Sequence, residues 1–420
     1  MTTTTTSAST TTPDLGVDLR APESAEAVLS NARALLPLVA AEADAVEEAA
    51  RLTPRLEAAF RAAGVFQMAF PAFRGGLEMT LAQQTEVVAE IAAVDASAAW
   101  NVAVLNAGGY YAARLGDQAY AELYPTRDRP TSGSFHPRGR AQRVDGGFLV
   151  TGHWDWGSGS YTADHVVGSA EVFDGDTPVI GSGGKQMHLG LWLPKDRLTV
   201  LHNWQTLGVR GSGSTSYEIV EPVFVPEHHS FDREAEYDQS RDPLNRSVRL
   251  AHYALTGVAL GVSRHLVHEA AAVVGRRVPA GSAANPDSAA LQTLGLAMAE
   301  VDFAYAGVRA VADLVDEVIF GGDALAPVHE ARMTAANAAA AVALRRVVDL
   351  TTELLGGQLI LDRSPVQRVL RDAYGALAHA GTRRMLLAPL AASALADEQH
   401  RLTLPDDPTY GAGPLRGAGS

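Results

Sequence analysis

The feature that most restricts this chain is its change of texture: a central block of strand-forming residues, 131–235, set between two long stretches that read as helix. In residues 21–130, Val28, Leu29, Ala32, Leu35, Leu36 and Val39 recur at helical spacing. Thr53-Pro54 is an N-cap followed by proline in the first helical position, and Gly64 closes that helix. Thr80 with Gln83 forms a capping-box pattern, and Asp95 caps a further helix bearing Trp100 and Asn106. In the central block, β-branched and aromatic runs at 148–156, 165–172, 187–193, 198–201 and 217–225 are punctuated by Asp145-Gly146, Asp174-Gly175 and Gly183-Gly184. That pattern predicts a small antiparallel sheet or barrel.

From 236 to 402 four long Ala/Leu/Val-rich segments follow, about 244–275, 288–320, 326–355 and 365–399, separated by Pro279–Pro286, Gly321-Gly322 and Gly356-Gly357. Long apolar helices with short connections pack as an antiparallel four-helix bundle. The expected architecture is mainly α with a central β domain. Residues 1–20, rich in Thr and Ser, and 403–420, rich in Pro and Gly, read as loose tails.

Composition removes several functions. Lys and Arg total 34 against 48 Asp and Glu, a formal charge of −14, which disfavours nucleic acid and anionic membrane as partners. There is no cysteine, so thiolate catalysis, disulfides and Cys-ligated metals are excluded. No uninterrupted apolar run has the length of a membrane span, and Met1–Pro13 has neither the basic nor the apolar region of a signal peptide. A soluble, cytoplasmic protein is expected. His228-His229 and His265/His268 have spacings that metal sites use, but no cluster of acidic or cysteine partners accompanies them, and no metal is expected.

The stretch Gly147–Gly159 carries the first chemical signal. An Asp-Gly turn leads into an aromatic strand containing Trp154 and Trp156, which ends in Gly157-Ser158-Gly159. Two indoles and a glycine-flanked hydroxyl make a wall for a flat heteroaromatic group, or simply a core strand and its turn. Two further stretches accompany it. One is Trp204 to Ser214, leading into Val223-Phe224-Val225-Pro226; the other is Glu353 to Gly357, followed by Arg368, Arg371-Asp372 and His379-Ala380-Gly381-Thr382.

In order and spacing these three stretches resemble the acyl-CoA dehydrogenase superfamily over about residues 25–400, and within it the two-component flavin-dependent monooxygenases (group D). The resemblance implies an N-terminal helical domain, a central β domain and a C-terminal four-helix bundle, assembled as a homotetramer with flavin between β domain and bundle. Dehydrogenases of this family place a catalytic Glu late in the bundle, where this chain has His379-Ala380-Gly381-Thr382; the alternative base position on the first bundle helix corresponds to Ala251. Without a carboxylate, α,β-dehydrogenation of a thioester lacks its proton acceptor.

The implied activity is therefore that of an oxygenase component. It takes reduced FMN, or FAD, from a separate flavin reductase and uses O2, through a flavin C4a-hydroperoxide, to hydroxylate or N-/S-oxygenate a small organic substrate. His379 and Ser158 are the implied catalytic residues; Ser134, His136, Trp154, Trp156, Ser158, Arg276, Gly356 and Gly357 the flavin neighbours; Trp100 and Asn106 the substrate contacts. Arg277 is an alternative to Arg276 for the flavin phosphate. Two other readings stay open: an acyl-CoA dehydrogenase or oxidase that retains its flavin, and a helical assembly or binding protein without enzymatic activity.

Overall fold

The computed structural model describes residues 16–181, 184–232, 241–247, 249–277 and 288–396. The N-terminal lobe holds α1 (Ala25–Ala49), α2 (Pro54–Ala63), α3 (Leu81–Ala92), α4 (Ala96–Asn106), α5 (Gly108–Ala112) and α6 (Asp117–Leu123). Its caps are those the sequence predicts. Thr53 Oγ1 accepts from Leu56 N–H at 3.2 Å, Asp95 Oδ1 accepts from Ala98 N–H at 2.7 Å, and Thr80 and Gln83 cap each other reciprocally. Residues 17–20 of the segment expected as a tail, 1–20, pack against this lobe. Val17 and Leu19 pack on the core, and Arg20 exchanges two 2.8 Å hydrogen bonds with the buried side chain of Asn31. Residues 1–15 and the tail at 403–420 lie outside the described residues.

The central sheet contains β1 (Thr131–Val144), β2 (Gly147–Trp154), β3 (His165–Asp174), β4 (Thr177–Pro178), β5 (His188–Leu193), β6 (Thr199–Val200), β7 (Tyr217–Pro226) and β8 (Ser230–Asp232). Its order is β6-β7-β2-β1-β3-β5-β8, with β4 paired to β3. Pairing is antiparallel except between β1 and β3, which run parallel. The exception follows from connectivity. After the Asp145-Gly146 hairpin the chain leaves β2, crosses through residues 155–164 and re-enters beside β1 in the same direction. That crossover carries Trp156 and Ser158.

The C-terminal lobe comprises α7 (Thr256–Arg277), α8 (Ala289–Phe320), α9 (Pro327–Leu355), α10 (Pro365–Leu377) and α11 (Ala388–Ala396), with a 3-10 turn at Leu250–Leu255 leading into α7. The segment expected as one helix at 365–399 is broken. After α10 the chain makes two 3-10 turns, Ala380–Thr382 and Arg384–Leu387, before α11. The Thr382 hydroxyl donates toward the carbonyl oxygens of Leu377 (2.8 Å) and His379 (2.7 Å), taking up acceptors that a continuing helix would have used.

The lobes are locked together by polar groups as well as by apolar burial. Asp316 of α8 caps α3, accepting from Leu81 N–H at 2.8 Å and Ala82 N–H at 3.0 Å, and burial pushes its carboxyl up to about 6. On α7, Gly261 meets the backbone of α3 so closely that a Cβ would sit 2.4 Å from Ala89 O.

Candidate functional site

A cavity of about 620 Å³ lies where the three lobes meet. Its walls come from α4 and α5 (Trp100, Val104, Tyr111), the crossover (Trp156, Ser158), the 204–214 segment, the turn before α7 (His252, Leu255) and the end of α10 with its following turn (Tyr374, His379, Arg383). The size suits a small ligand or a flat cofactor ring. Most of the lining is aromatic or aliphatic. Among the described lining residues there is no carboxylate; the ionisable ones are His252, His379, Arg383 and the tyrosines.

His379 stands at the break after α10. Its backbone is extended (φ −63°, ψ 144°), and its Nδ1 accepts from Gly381 N–H at 3.2 Å. A neutral imidazole whose Nδ1 accepts carries its proton on Nε2. Burial lowers the His379 pKa, so the ring is neutral near pH 7. It meets Trp100 edge-on, with ring centroids 5.3 Å apart and planes at 80°. Trp100 in turn donates its indole N–H to Ser158 Oγ at 3.2 Å. Ser158 Oγ lies 2.6 Å from Ser214 Oγ, which lies 2.8 Å from Ser212 Oγ, and Ser132 donates to the Ser158 carbonyl at 2.7 Å. A helix of the first lobe, the crossover and the 204–214 segment are thereby joined in one buried polar cluster beside the cavity.

The 204–214 wall is held from behind by α10. Val209 has φ +47°, a left-handed conformation that costs a β-branched residue energy, and its N–H donates to buried Asp372 Oδ1 at 2.6 Å. Burial raises the Asp372 pKa. Arg371 Nη1 donates to Leu207 O at 2.9 Å and pairs with Glu47 at 2.6 Å, so Arg371-Asp372 is a structural clamp on the wall.

The other sequence-derived candidates divide. Trp100, Trp156 and Ser158 line the cavity together with His379. Trp156 is exposed, with φ +65°, and its ring meets Trp204 at 5.7 Å. Trp154 does not reach the cavity. It is fully buried in the sheet core, stacked on Tyr217 at 5.5 Å, with its N–H donating to Ser169 O at 2.8 Å. Asn106 is also withdrawn: its carbonyl accepts from Ala69 N–H at 2.9 Å and its amide donates to Gln84 at 2.8 Å, which uses it as a lobe-internal brace.

Ser134 sits on β1 next to the lining residue Gly133, its N–H bound to Tyr217 Oη at 3.0 Å. His136 is exposed in β1, where that strand shifts register against β3, and it is not among the cavity lining residues. Arg276, near the end of α7, and Gly356-Gly357, at the end of α9, are exposed and outside the lining. Arg277 ends the same helix, and its side chain lies outside the described residues. Ala251 is buried in the turn before α7.

Sequence reading missed Tyr111 and His252, whose Oη and Nε2 are 3.2 Å apart in the cavity although 141 positions separate them. It also missed Tyr374, Arg383 and the acidic partner of His228-His229. Both imidazoles meet Glu122 Oε2, at 3.0 and 2.8 Å; Gln118 first, then these histidines, hold that carboxylate down to about 2. Glu122 comes from another lobe, so no local pattern announced it.

Residues 22–125 match the acyl-CoA dehydrogenase N-terminal domain and residues 253–384 the acyl-CoA dehydrogenase C-terminal domain. The chain is 30% identical over 333 residues to an indole-3-acetate monooxygenase of Pseudomonas putida, covering 77% of this chain and 82% of the relative. It is 27% identical to the oxygenase subunit HsaA, a flavin-dependent monooxygenase of Mycobacterium tuberculosis, over 85% of this chain and 92% of that one. The crystal structure of the M. tuberculosis HsaA monooxygenase superposes with a TM-score of 0.79, at 23% identity, over 89% of this chain and 98% of the other. XiaF from Streptomyces sp., solved in complex with FADH2 and glycerol, superposes at 0.75 with 22% identity over 89% and 96%.

Proposed function

The chain belongs to the acyl-CoA dehydrogenase superfamily and, within it, to the flavin-dependent monooxygenases; from that premise we propose that the cavity binds reduced FMN, or FAD, delivered by a separate reductase, and oxygenates a small aromatic substrate. The observation that carries this reading is the convergence of His379 and Ser158, from different lobes, on one largely apolar cavity whose described lining has no carboxylate. The residues present fit a flavin ring: indole and phenol faces for a tricyclic system, and hydroxyls at one edge. When bound, the flavin supplies the activation of O2 and the transfer of one oxygen atom.

The protein's part is placement, water exclusion and proton control. Trp100, buried, and Trp204, half-buried, supply apolar wall that keeps bulk water from the reacting atoms, and Trp156 and Tyr374 add exposed aromatic faces. His379, neutral and carrying its proton on Nε2, offers a hydrogen-bond donor to an oxygen or nitrogen of the substrate. Accepting a proton at Nε2 would first require the ring to give up its bond from Gly381. This favours His379 as a donor that stabilises a developing negative charge over His379 as the base that starts the reaction.

An acyl-CoA dehydrogenase would need a carboxylate facing the substrate, and none stands among the described lining residues. The separate reductase is supported by the oxygenase-subunit description of the HsaA relative. Assembly into a homotetramer is supported by large apolar side chains left exposed on the C-terminal lobe, including Phe303 (73%), Ile360 (80%) and Met385 (70%). A cytoplasmic site of action fits a chain in which no described helix is long and apolar enough to cross a membrane.

The decisive experiment is anaerobic titration with reduced FMN and reduced FAD, followed by rapid mixing with oxygenated buffer and small aromatic compounds. Saturable binding and substrate-dependent oxygenated product are expected. Reoxidation as fast as in protein-free buffer, with no product from any compound, would overturn the proposal; bleaching of tightly bound FAD by acyl-CoA would instead establish the dehydrogenase.

A further inference from the structure

Ser158, Ser214 and Ser212 hold three hydroxyl protons between them, and their hydrogen bonds can be counted. All three side chains are buried, and Ser158 and Ser214 also line the cavity. The indole N–H of Trp100 can only donate, so it occupies one lone pair of Ser158 Oγ. Among the described residues the only side-chain partner of the Ser212 hydroxyl is Ser214 Oγ. A buried hydroxyl proton without an acceptor is costly, so Ser212 donates to Ser214.

Two arrangements of the remaining bond then place every internal proton. If Ser214 donates to Ser158, both lone pairs of Ser158 are filled and its proton faces the cavity. If Ser158 donates to Ser214, one lone pair of Ser158 faces the cavity and the Ser214 proton turns into it. The cluster thus presents Ser158 either as a donor or as an acceptor, and Ser214 takes up the difference.

Resting on the reading that a flavin ring edge meets Ser158, we propose that Ser214, backed by Ser212, is a positioning residue that makes Ser158 a hydrogen-bond acceptor for the reduced ring. Oxidised flavin has a bare nitrogen at N5, whereas the reduced ring carries N–H there. To accept from that N–H, Ser158 must dispose of its own proton, and Ser214 Oγ at 2.6 Å is the acceptor that receives it. With Ser214 present the leftover proton is that of Ser214 and faces the cavity, where solvent or a ligand acceptor can meet it; without Ser214, Ser158 binds the reduced ring only with its own proton aimed at the buried site the hydroxyl vacated. Against the oxidised ring it donates as before and leaves one lone pair empty, the smaller loss. Ser214 therefore favours the reduced cofactor over the oxidised one, acting through Ser158.

The test is the ratio of affinities for reduced and oxidised FMN, measured anaerobically in wild type, Ser214→Ala, Ser214→Thr, Ser158→Ala and the Ser158→Ala/Ser214→Ala double variant. Ser214→Ala is expected to lower the preference for reduced FMN by roughly five- to tenfold. The hydroxyl of Ser214→Thr restores it, and the effect of Ser214→Ala vanishes in the Ser158→Ala background. A ratio unchanged by Ser214→Ala, or an equal drop when Ser158 is already alanine, overturns the proposal.

Simple unfolding would weaken both redox forms alike and leave the ratio intact, so the ratio isolates positioning from stability. Wild type that binds neither form of flavin defeats the functional reading itself. In that event the indole N–H resonance of Trp100 in ligand-free protein still decides the relay: a shift in Ser214→Ala that returns in Ser214→Thr sustains it, and no shift ends it.

Discussion

Gly208→Ala is the substitution that most directly tests how the cavity wall is held. A Cβ at this position would lie 1.9 Å from Arg371 O, 2.3 Å from Arg371 C and 2.7 Å from Asp372 N. All three are backbone atoms of α10, so no side-chain rotation relieves the clash; either the wall or the helix must move. Moving the wall breaks the bond from Val209 N–H to Asp372 and the bond from Arg371 to Leu207 O. It also removes what holds Val209 at φ +47°. Overpacking costs about 1–3 kcal/mol and loss of a hydrogen bond to a charged group about 1.5–3 kcal/mol. The shifted wall gives up both bonds and keeps part of the clash, so the costs largely add and the net loss is about 3–5 kcal/mol. At about 1 °C per kcal/mol for a chain of this length, the melting temperature falls by roughly 3–6 °C.

The assay is a thermal melt by circular dichroism alongside titration with reduced FMN, because the displaced segment is itself cavity wall. Gly116→Ala is the control: a Cβ there meets nothing within 4 Å, and exchanging Gly for Ala at this helix-start position costs less than about 1 kcal/mol. A Gly208→Ala protein melting within about 2 °C of wild type, with unchanged flavin affinity, would refute the docking of this wall on α10.

Three further outcomes follow from the same geometry. Trp154→Phe loses the bond to Ser169 and part of a filled core and is expected to cost about 2–4 kcal/mol while sparing flavin affinity; Trp156→Ala, at a side chain 70% exposed, reverses that pattern in melts and titrations. Asn106→Ala strands the Ala69 N–H and one acceptor of Gln84 and is expected to cost about 1–3 kcal/mol in denaturant unfolding, with substrate affinity unchanged. Because burial lowers the His379 pKa in the folded state, the unfolded chain binds the extra proton first, and stability is lost as pH falls from about 6.5 through the folded value. His379→Gln removes that contribution, so its stability falls less steeply than wild type between about pH 7 and 5; parallel curves would contradict the burial of this ring.

What was legible in the sequence was local. Helix caps, the Asp145-Gly146 hairpin and two of the four long bundle helices depend on residues a few positions apart, and they formed where the spacing places them; the segment expected from 244 becomes α-helix only at Thr256. The indole pair shows where local reasoning stops. Residues 154 and 156 would share one face of an uninterrupted strand, which is why both read as cofactor wall. The strand ends at Trp154, and the positive φ of Trp156 turns the second indole out of register: one ring goes into the core and the other toward the cavity. Tyr111 with His252, and Glu122 with its histidines, are contacts made by tertiary packing alone, and no spacing announces them.

The break at His379 is the most instructive of these differences. The Ala- and Leu-rich composition of residues 365–399 favours helix over most of its length, and the breakers Gly381 and Pro389 lie too far on to place the stop at Leu377. The stop comes from two side chains of a four-residue segment. Thr382 takes the carbonyls of Leu377 and His379, and the His379 ring takes the Gly381 N–H, so the turn satisfies itself without the next helical bond. The same ring bond leaves the proton on Nε2, which has no partner among the described residues of a side chain that lines the cavity. Termination of the helix and the protonation pattern of the imidazole are thus set by one local arrangement. A continuous helix would have kept the histidine but bound its backbone into the helical ladder, with no Gly381 N–H free to fix which nitrogen faces the ligand.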